Sequence, residues 1–219
     1  MAIALCLLAG TAAVAAQFGP AQYALKDDTG DPVTNFDLSP QLSARLAKLA
    51  QVPVGNLQGD VTLLQFYDLN CPFCREAAAD VDALVRADKK LKLVFVPYAV
   101  LSVQSIQGAL VELAAAKVLT PAKYLEFHKR IYASRGTIDA PRVLAAAKGL
   151  GLEAQQLTTI ANDEDTLEGL KENAAFGSAA QLVATPAYVI NGVVILGHPG
   201  LKPLQDLIRA VRACRKVIC

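Results

Sequence analysis

The sequence predicts an α/β protein in which a β-α-β unit, a helical block and a β-β-α unit follow one another along the chain. Two nearly continuous apolar runs, "VTLLQFYD" at 61–68 and "KLKLVFVPY" at 90–98, are typical of buried strands. Near the C-terminus, "TPAYVINGVVILG" has the pattern of a β-hairpin with Asn191-Gly192 as its two-residue turn. Helical periodicity fills most of the chain between these strand signals.

The first unit places a pair of cysteines at the start of a helix. After the run that ends at Asp68, Asn70 is the expected N-cap and Pro72 fits the first helical turn. An apolar stripe then follows at helical spacing, formed by Ala77, Ala78, Val81, Leu84 and Val85. Because a helix joins the two strands, we expect them to be parallel with a right-handed crossover.

The remaining segments complete the predicted order. Residues 102–182 contain several helical patterns, and residues 201–211 form a last amphipathic helix. Ahead of the first strand, "SPQLSARLAKLAQ" predicts a helix capped by Ser39, and it lies in a segment expected to hold helix and loop. The predicted boundaries are a signal peptide at 1–16, this N-terminal segment at 17–53, the main domain at 54–101 and 183–214, a helical insertion at 102–182 and a tail at 215–219.

Charge and composition exclude some partners. The chain has 219 residues, with 21 Lys and Arg against 20 Asp and Glu, and these charges are scattered rather than grouped. We therefore expect no nucleic-acid partner. A chain of this length buries a core large enough to fold without metal or disulfide staples.

The first sixteen residues predict export. A short apolar run followed by small residues at positions 13–16 has the pattern of a cleavable secretory signal. A membrane helix is the alternative interpretation, but the run is shorter than the ~20 residues that a span requires. Removing the signal also removes Cys6, and leaves four cysteines in an exported, periplasmic protein: Cys71, Cys74, Cys214 and Cys219. Disulfides form readily in such a compartment.

Two residues between Cys71 and Cys74 place their sulfurs about one helical turn apart, which is close enough for a disulfide. The N-H groups and the dipole at a helix start favour the thiolate of Cys71, which we expect to face solvent, while Cys74 lies deeper. The alternatives are an inert structural disulfide and half of a metal site. A tetrahedral site would need His128, His198, Cys214 or Cys219, which have no recognisable metal-binding spacing.

Other polar residues have simpler expected roles. Cys214 and Cys219 predict a surface disulfide that closes a short loop, in preference to a redox relay. His128 is expected to pack with a hydrogen-bonded ring in its helix, and His198 to lie in a loop. Asp68 either accepts backbone hydrogen bonds in a turn or tunes the cysteine pair electrostatically.

The motifs "FYDLNCPFC", "KYLEFHKRIYASRG" and "VATPAYVINGVVILGHPG" together resemble the DsbA-type thiol:disulfide oxidoreductases over about residues 54–212. The resemblance implies a thioredoxin-like fold with residues 102–182 inserted into it. It also implies that Pro186 is cis and lies against the cysteines, and that the backbone of Thr185 pairs with a substrate chain. Relatives commonly carry a buried glutamate where this chain has Gln65, so either water or Asp68 takes the proton of the second thiol, or this proton step is less assisted.

The expected activity is thiol:disulfide exchange with exported proteins that contain cysteines, with net oxidation as the favoured direction. Pro72 and Phe73 provide no imidazole to assist Cys71, and Thr185 resembles isomerase-like relatives, so isomerase or reductase activity is the alternative. The redox-active disulfide Cys71-Cys74 serves in place of a cofactor, and a membrane or soluble partner resets it. A periplasmic copper or zinc chaperone and a thiol-independent folding chaperone are the other hypotheses.

Overall fold

The computed structural model describes residues 22–219. The predicted signal peptide at 1–16 lies outside the described residues. The order of elements is β1 Asn35–Asp37, α1 Pro40–Arg45, a 3₁₀ turn Leu46–Lys48, β2 Val52–Gly55, β3 Val61–Tyr67, α2 Pro72–Ala87, β4 Leu91–Pro97, α3 Val103–Ala116, α4 Pro121–Ala133, α5 Ala140–Lys148, α6 Ala154–Ala161, α7 Glu164–Ala179, β5 Ala187–Ile190, β6 Val193–Leu196 and α8 Leu201–Cys214.

The strands form one six-stranded sheet in the order β1-β6-β5-β3-β4-β2. β3 and β4 are parallel, and every other neighbouring pair is antiparallel. The predicted thioredoxin-like arrangement is confirmed, because a β-α-β unit and a β-β-α unit share a central sheet and five helices lie between them in the chain. The hairpin turns at Asn191 and Gly192, both with positive φ, as predicted.

Both faces of the sheet are covered, which explains why β3 and β4 read as nearly continuous apolar runs. Leu63 and Tyr67 of β3 point into the larger core, which also holds Cys74 of α2 and Leu204 of α8. On the opposite face Phe66 stacks on a phenylalanine of α7, with ring centroids 5.5 Å apart. α2 therefore lies directly on the strands that surround it in sequence.

The N-terminal segment contributes two strands that the sequence did not predict. β1 pairs with β6 at one edge of the sheet, and β2 pairs with β4 at the other. The predicted capping is confirmed, because the Ser39 side chain accepts a hydrogen bond from the N-H of Leu42. The helix is shorter than its apolar pattern predicts, because α1 ends at Arg45 and continues as a 3₁₀ turn.

A buried polar cluster joins the helical insertion to the central sheet. Glu112 of α3 accepts a 2.7 Å hydrogen bond from the Tyr67 hydroxyl of β3, and its other oxygen lies 2.6 Å from His128 Nδ1 of α4. Both Glu112 and His128 are buried. The histidine thus has the hydrogen-bonded packing role expected for it.

None of the helices in the described part of the chain is long and apolar enough to cross a membrane.

Candidate functional site

The two cysteines lie where β3 leads into α2. Cys71 is the N-cap residue of this helix, and Cys74 lies in its first turn, both as free thiols. Cys74 is fully buried and Cys71 is 4% exposed. The expectation that Cys71 faces solvent is therefore wrong, because neighbouring chain covers most of its side chain. Pro72 is exposed and Phe73 is 62% exposed, so the residues between the cysteines form the outer surface of the site.

The loop before β5 lies against Cys71. The peptide bond between Thr185 and Pro186 is cis, as predicted, and the Cys71 thiol donates a 3.1 Å hydrogen bond to the Thr185 carbonyl oxygen. Because β5 begins at the next residue and pairs with β3, the hairpin holds this loop next to the start of α2. The structure thus brings together Cys71, Cys74, Thr185 and Pro186, which are far apart in the sequence.

The pKa values of the two thiols are shifted in opposite directions. The pKa of Cys71 is lowered from 9.0 to about 6, because the Cys74 thiol donates a hydrogen bond to its thiolate and because the Thr185 side chain and the N-H groups of Phe73 and Cys74 also stabilise that charge. Burial raises the pKa of Cys74 far above the ordinary thiol value, and the neighbouring charge of Cys71 adds to that shift. Cys71 is therefore the ionised sulfur at neutral pH, and Cys74 keeps its proton.

Asp68 organises the turn between β3 and α2. Its carboxylate oxygens accept hydrogen bonds from the main-chain N-H groups of Asn70, Val100 and Leu101 at 2.8–2.9 Å and from the Ser105 hydroxyl at 2.7 Å. This arrangement corresponds to the turn role considered for Asp68. These four hydrogen bonds tie the start of α2 to the loop after β4 and to α3.

The predicted N-cap role of Asn70 is wrong. Its side chain turns toward the insertion, where it donates to the Ser105 hydroxyl and the Ile138 carbonyl and accepts from the Ile138 N-H at 2.7 Å. Cys71 occupies the N-cap position instead and makes no side-chain cap hydrogen bond. The first N-H groups of α2 consequently remain available to the Cys71 sulfur.

Gln65 lies in the buried layer beneath the cysteines. It lies in β3, with Phe95 of β4 and Tyr188 of β5 as its partners on either side. Its Oε1 atom has no hydrogen-bond partner among residues 22–219. An amide carries no titratable proton near neutral pH, so Gln65 contributes a polar group but no proton acceptor of the carboxylate kind.

An apolar surface surrounds the site. Four exposed side chains come from segments that meet at the cysteines: Phe73 on α2, Val100 and Leu101 on the loop held by Asp68, and Val183 two residues before Thr185. A cavity of about 690 Å³ lies elsewhere, between α8 and the segment 24–33. A smaller one of about 590 Å³ is lined partly by Asn70, Arg75 and Leu101 but by neither cysteine. Clustered exposed apolar groups of this kind typically mark a binding surface.

The other two cysteines are joined to each other. Cys214 at the end of α8 and Cys219 at the chain terminus form a disulfide with their Cα atoms 6.1 Å apart. Arg215 adopts a left-handed conformation between them and turns the tail back toward the helix. Among residues 22–219 the structure assembles no group of three or more His, Cys, Asp or Glu side chains that could hold a metal ion.

Sequence reasoning placed His198 in a loop, where the structure also has it, but did not connect it with the two residues to which it is hydrogen-bonded. The Tyr188 hydroxyl lies 2.8 Å from His198 Nδ1, and His198 Nε2 lies 3.0 Å from Asp80 Oδ2 on α2. The hairpin contained the signal for the first two. Continuing its register from the Asn191-Gly192 turn places Gly197 opposite Pro186, and the Gly197 N-H indeed donates to the Pro186 carbonyl. His198 follows directly, so it had to lie beside the cis-proline strand.

Comparison with known proteins adds independent evidence. A family model described as thioredoxin matches residues 48–210. A thioredoxin-like oxidoreductase from Silicibacter pomeroyi is 30% identical, with 74% of this chain and 92% of that chain covered and a TM-score of 0.69. Two more distant structures share the fold at 20% identity. For the thiol-disulfide exchange protein alpha-DsbA2 from Wolbachia pipientis, 78% of this chain and 92% of that chain are covered and the TM-score is 0.71. For the catalytic domain of Proteus mirabilis ScsC, 78% of this chain and 97% of that chain are covered and the TM-score is 0.69. A search of curated proteins gave no match.

The central sheet, the cysteine pair at the start of α2 and the adjacent cis proline define a thioredoxin-like thiol-disulfide oxidoreductase. The chain belongs to the thioredoxin family, and its helical insertion gives it the fold of the DsbA-like proteins.

Proposed function

We propose that the chain is an extracytoplasmic oxidoreductase that exchanges disulfides with cysteines of exported proteins through Cys71 and Cys74, with disulfide formation as its working direction. The observation that carries this proposal is the position of Cys71 at the start of α2, between the buried Cys74 thiol and the cis Thr185-Pro186 loop, where its pKa is lowered to about 6. A sulfur of low pKa is a good leaving group, and its thiolate stabilises the reduced dithiol, so the corresponding disulfide is an oxidant.

The proposed cycle begins with the Cys71-Cys74 disulfide. A client thiolate attacks the Cys71 sulfur, a client-Cys71 bond forms, and Cys74 leaves with the electron pair and takes up a proton. A second client thiolate then attacks the client sulfur of the mixed disulfide. The client disulfide forms, and Cys71 leaves as a thiolate held by the N-H groups at the start of α2. Two electrons have then passed from the client to the cysteine pair, one client proton is on Cys74 and the other has gone to solvent, and a membrane or soluble redox partner removes the electrons.

The surface around the site supports a protein substrate. Four exposed apolar side chains lie on segments that meet at the cysteines: Phe73, Val100, Leu101 and Val183. Such a surface suits an unfolded or extended client segment better than a small thiol. The Thr185 main chain, next to the Cys71 sulfur, is positioned to pair with such a segment. Export supplies the setting, because the predicted signal at 1–16 would place the protein where client cysteines become oxidised.

Metal binding has less support from the positions of the other ligands. A tetrahedral site needs four donors, and Cys214 and Cys219 are paired with each other while His128 is paired with Glu112. His198 is hydrogen-bonded through both ring nitrogens. A copper or zinc chaperone would thus have to work with Cys71 and Cys74 alone or with ligands from a partner.

The test uses single cysteine variants and a reduced client with two thiols. Cys71→Ser should abolish oxidation of the client, because Cys71 forms the mixed disulfide. With a client that already contains a disulfide, reduced Cys74→Ser should accumulate mixed disulfides that a reducing gel resolves, because Cys71 attacks the client disulfide and no Cys74 thiol is present to release the client. The double variant Cys214→Ser/Cys219→Ser is the matched control and should retain the wild-type rate. Turnover that survives in Cys71→Ser would refute the proposal, and activity confined to scrambled clients would indicate an isomerase.

A further inference from the structure

The cavity of about 590 Å³ lies between the start of α2 and the helical insertion. Its walls come from the first turn of α2, from the segment at the start of α3 and from the loop between α4 and α5. Two of the lining residues are neighbours of the cysteines in the chain, because Asn70 precedes Cys71 and Arg75 follows Cys74. Among the described residues, none from the loop at 183–186 lines it. The cavity therefore lies on the insertion side of the site.

Arg75 is held at the wall of this cavity but keeps unused donors. Its Nη1 atom donates to the main-chain carbonyls of Tyr132 and Ser134, the latter at 2.7 Å. The guanidinium carbon lies 5.7 Å from the centre of the Tyr132 ring, so the aromatic face also fixes the group. Within residues 22–219, no hydrogen bond uses Nε or Nη2 of Arg75. The donors on these two nitrogens are therefore available to a ligand.

Two further arginines lie at the loop between α4 and α5. Arg142 donates through Nε to the Thr137 carbonyl at 2.8 Å, and a Cβ atom at Gly136 would lie 3.5 Å from its Nη2. Arg135, the residue before Gly136, is exposed. Because Gly136 and Thr137 both line the cavity, both arginines lie beside its wall.

These three positive charges have no ion-pair partner of their own. None of the ion pairs formed within the described part of the chain includes any of the three arginines. No Asp or Glu is found among the described residues that line the cavity. Of the carboxylates in the same segments, Asp68 is buried under its four hydrogen bonds, Asp139 caps α5 by accepting from the Arg142 N-H, and Glu76 is exposed. The wall therefore has surplus positive charge beside the cysteines.

We propose that this wall is a specificity subsite for a carboxylate side chain of the client, so that preferred clients carry Asp or Glu close to the reactive cysteine. This inference rests on the proposed function, because it names the substrate class of the same site. A guanidinium binds a carboxylate through parallel N-H···O bonds, which fix its position as well as attract its charge. Gln104 and Thr137, both exposed, add polar groups to the wall, and Leu101 adds an apolar one.

The position of the cavity sets where the acidic residue lies in the client. The client sulfur meets Cys71, and the cavity begins at Asn70, the residue before it. An extended chain rises about 3.3 Å per residue, so we expect the acidic side chain about two to four residues from the client cysteine. In the proposed function the Thr185 main chain pairs with the client on the other side of Cys71. Together the two contacts would hold the client across the site.

A set of matched peptides tests the preference. Each reduced peptide has two cysteines, and the members differ only in having Glu, Gln or Lys at the positions on both sides of the cysteines. Oxidised protein is mixed with each peptide, and the second-order rate constant of peptide oxidation is measured in a single turnover. Each rate is divided by the rate of the same peptide with bis(2-hydroxyethyl) disulfide, an uncharged disulfide. This division removes the effect of the charged residues on the peptide thiols themselves.

The Glu peptide should react about five- to tenfold faster than the Gln peptide, which is the size of one charge-assisted hydrogen bond, and the Lys peptide should be the slowest. The preference should fall with salt, because the Debye length shortens from about 30 Å at 0.01 M to about 3 Å at 1 M ionic strength.

Arginine variants should lower the ratio of the Glu rate to the Gln rate. Arg75→Gln should remove most of the preference, and Arg75→Lys should keep part of it, because the charge remains but the planar fork is lost. Arg135→Gln and Arg142→Gln should each lower the ratio part of the way. Arg135 is exposed, so its substitution tests the charge without disturbing packing. A ratio is the measured quantity because damage to the loop would slow all peptides alike.

The matched control is Arg86→Gln, because Arg86 is an exposed arginine of the same helix that pairs with Asp82 at 2.7 Å, and its ratio should equal that of the wild type. Equal normalised rates for the Glu and Gln peptides with the wild-type protein would overturn the inference, as would wild-type ratios in both Arg75→Gln and Arg135→Gln. Slowing that is confined to glutathione, with unchanged peptide ratios, would assign the subsite to a small thiol and also overturn it. No reaction with any peptide would instead contradict the proposed function.

Discussion

Cys71 owes its acidity first to the hydrogen bond from the Cys74 thiol and then to its own position at the N-cap of α2. The first N-H groups of a helix have no intrahelical partner, and here neither a capping side chain of Cys71 nor Asn70 satisfies them. They therefore point at the sulfur together with the Cys74 thiol. Together these hydrogen bonds outweigh the effect of burial, which on its own would raise the pKa of Cys71.

The pH dependence of Cys71 follows from this shift. Its pKa is lowered from 9.0 to about 6, so the thiolate stabilises the reduced protein fully above the ordinary thiol pKa, and that stabilisation is lost as the pH falls through about 6. Alkylation of reduced protein by iodoacetamide should therefore show a single rise in rate centred near pH 6. The same profile in Cys74→Ala should move upward, because the largest stabilising hydrogen bond is gone. A wild-type midpoint near 9 would contradict the assigned environment.

Gln65 offers a second residue-scale prediction. Its buried Oε1 has no partner within the described chain, and an unsatisfied buried acceptor costs about 1–3 kcal/mol. Gln65→Met keeps the shape of the side chain and removes that acceptor. We expect the free energy of unfolding of the reduced protein to be unchanged or higher by about 1 kcal/mol, as measured by urea titration. A loss of more than about 2 kcal/mol would show that the amide makes a stabilising interaction.

Among the secondary-structure elements, the buried cluster of Glu112, His128 and Tyr67 holds α3 and α4 against β3. Removing one member of a buried, hydrogen-bonded pair leaves the other without compensation, which costs about 3–5 kcal/mol. Glu112→Ala should therefore destabilise the protein by that amount in thermal or urea unfolding.

The matched control for this cluster is Glu126→Ala. Glu126 is an exposed residue of α4 that pairs with Arg130 at 2.6 Å, and its loss should cost less than about 1 kcal/mol. Equal effects of the two substitutions would mean that the buried cluster does not connect the insertion to the sheet.

The elements that the sequence predicted are those with a strong local signal. The apolar runs of β3 and β4 and the Asn-Gly turn of the hairpin depend on neighbouring residues alone. β1 and β2 are three and four residues long, and they became strands only because the edges of the sheet offered hydrogen-bonding partners. Short edge strands of this kind are set by tertiary structure and carry little sequence pattern.

The residues of the functional site also fall into those predictable from local sequence or family motifs and those set by long-range contacts. Spacing and helix position predicted Cys71 and Cys74, and the family resemblance supplied Thr185 and Pro186. The capping role of Asn70 was wrong because its side chain bonds to the insertion at Ile138, a contact between residues far apart in the sequence. Long-range partners of this kind leave no mark on the local pattern.

At the scale of the whole molecule, the fold keeps two kinds of cysteine pair apart. Cys71 and Cys74 lie at the N-terminal end of α2, where the helix dipole favours a thiolate, whereas Cys214 lies at the C-terminal end of α8, where it does not. The first position suits a disulfide that is readily reduced, and the second suits one that persists. The insertion and the hairpin complete the active end of the molecule by adding the apolar surface and the cis-proline loop.

The most direct test of the central claim is the equilibrium of the Cys71-Cys74 pair with glutathione, followed by trapping free thiols in a series of glutathione buffers. The Cys214→Ser/Cys219→Ser variant serves as the background, so that only one pair is counted. Because the Cys71 thiolate stabilises the dithiol, we predict a reduction potential above about −200 mV, which is the range of oxidising centres. A potential at or below about −270 mV, typical of a reducing thioredoxin, or no exchange with glutathione would contradict the proposal that this protein forms disulfides.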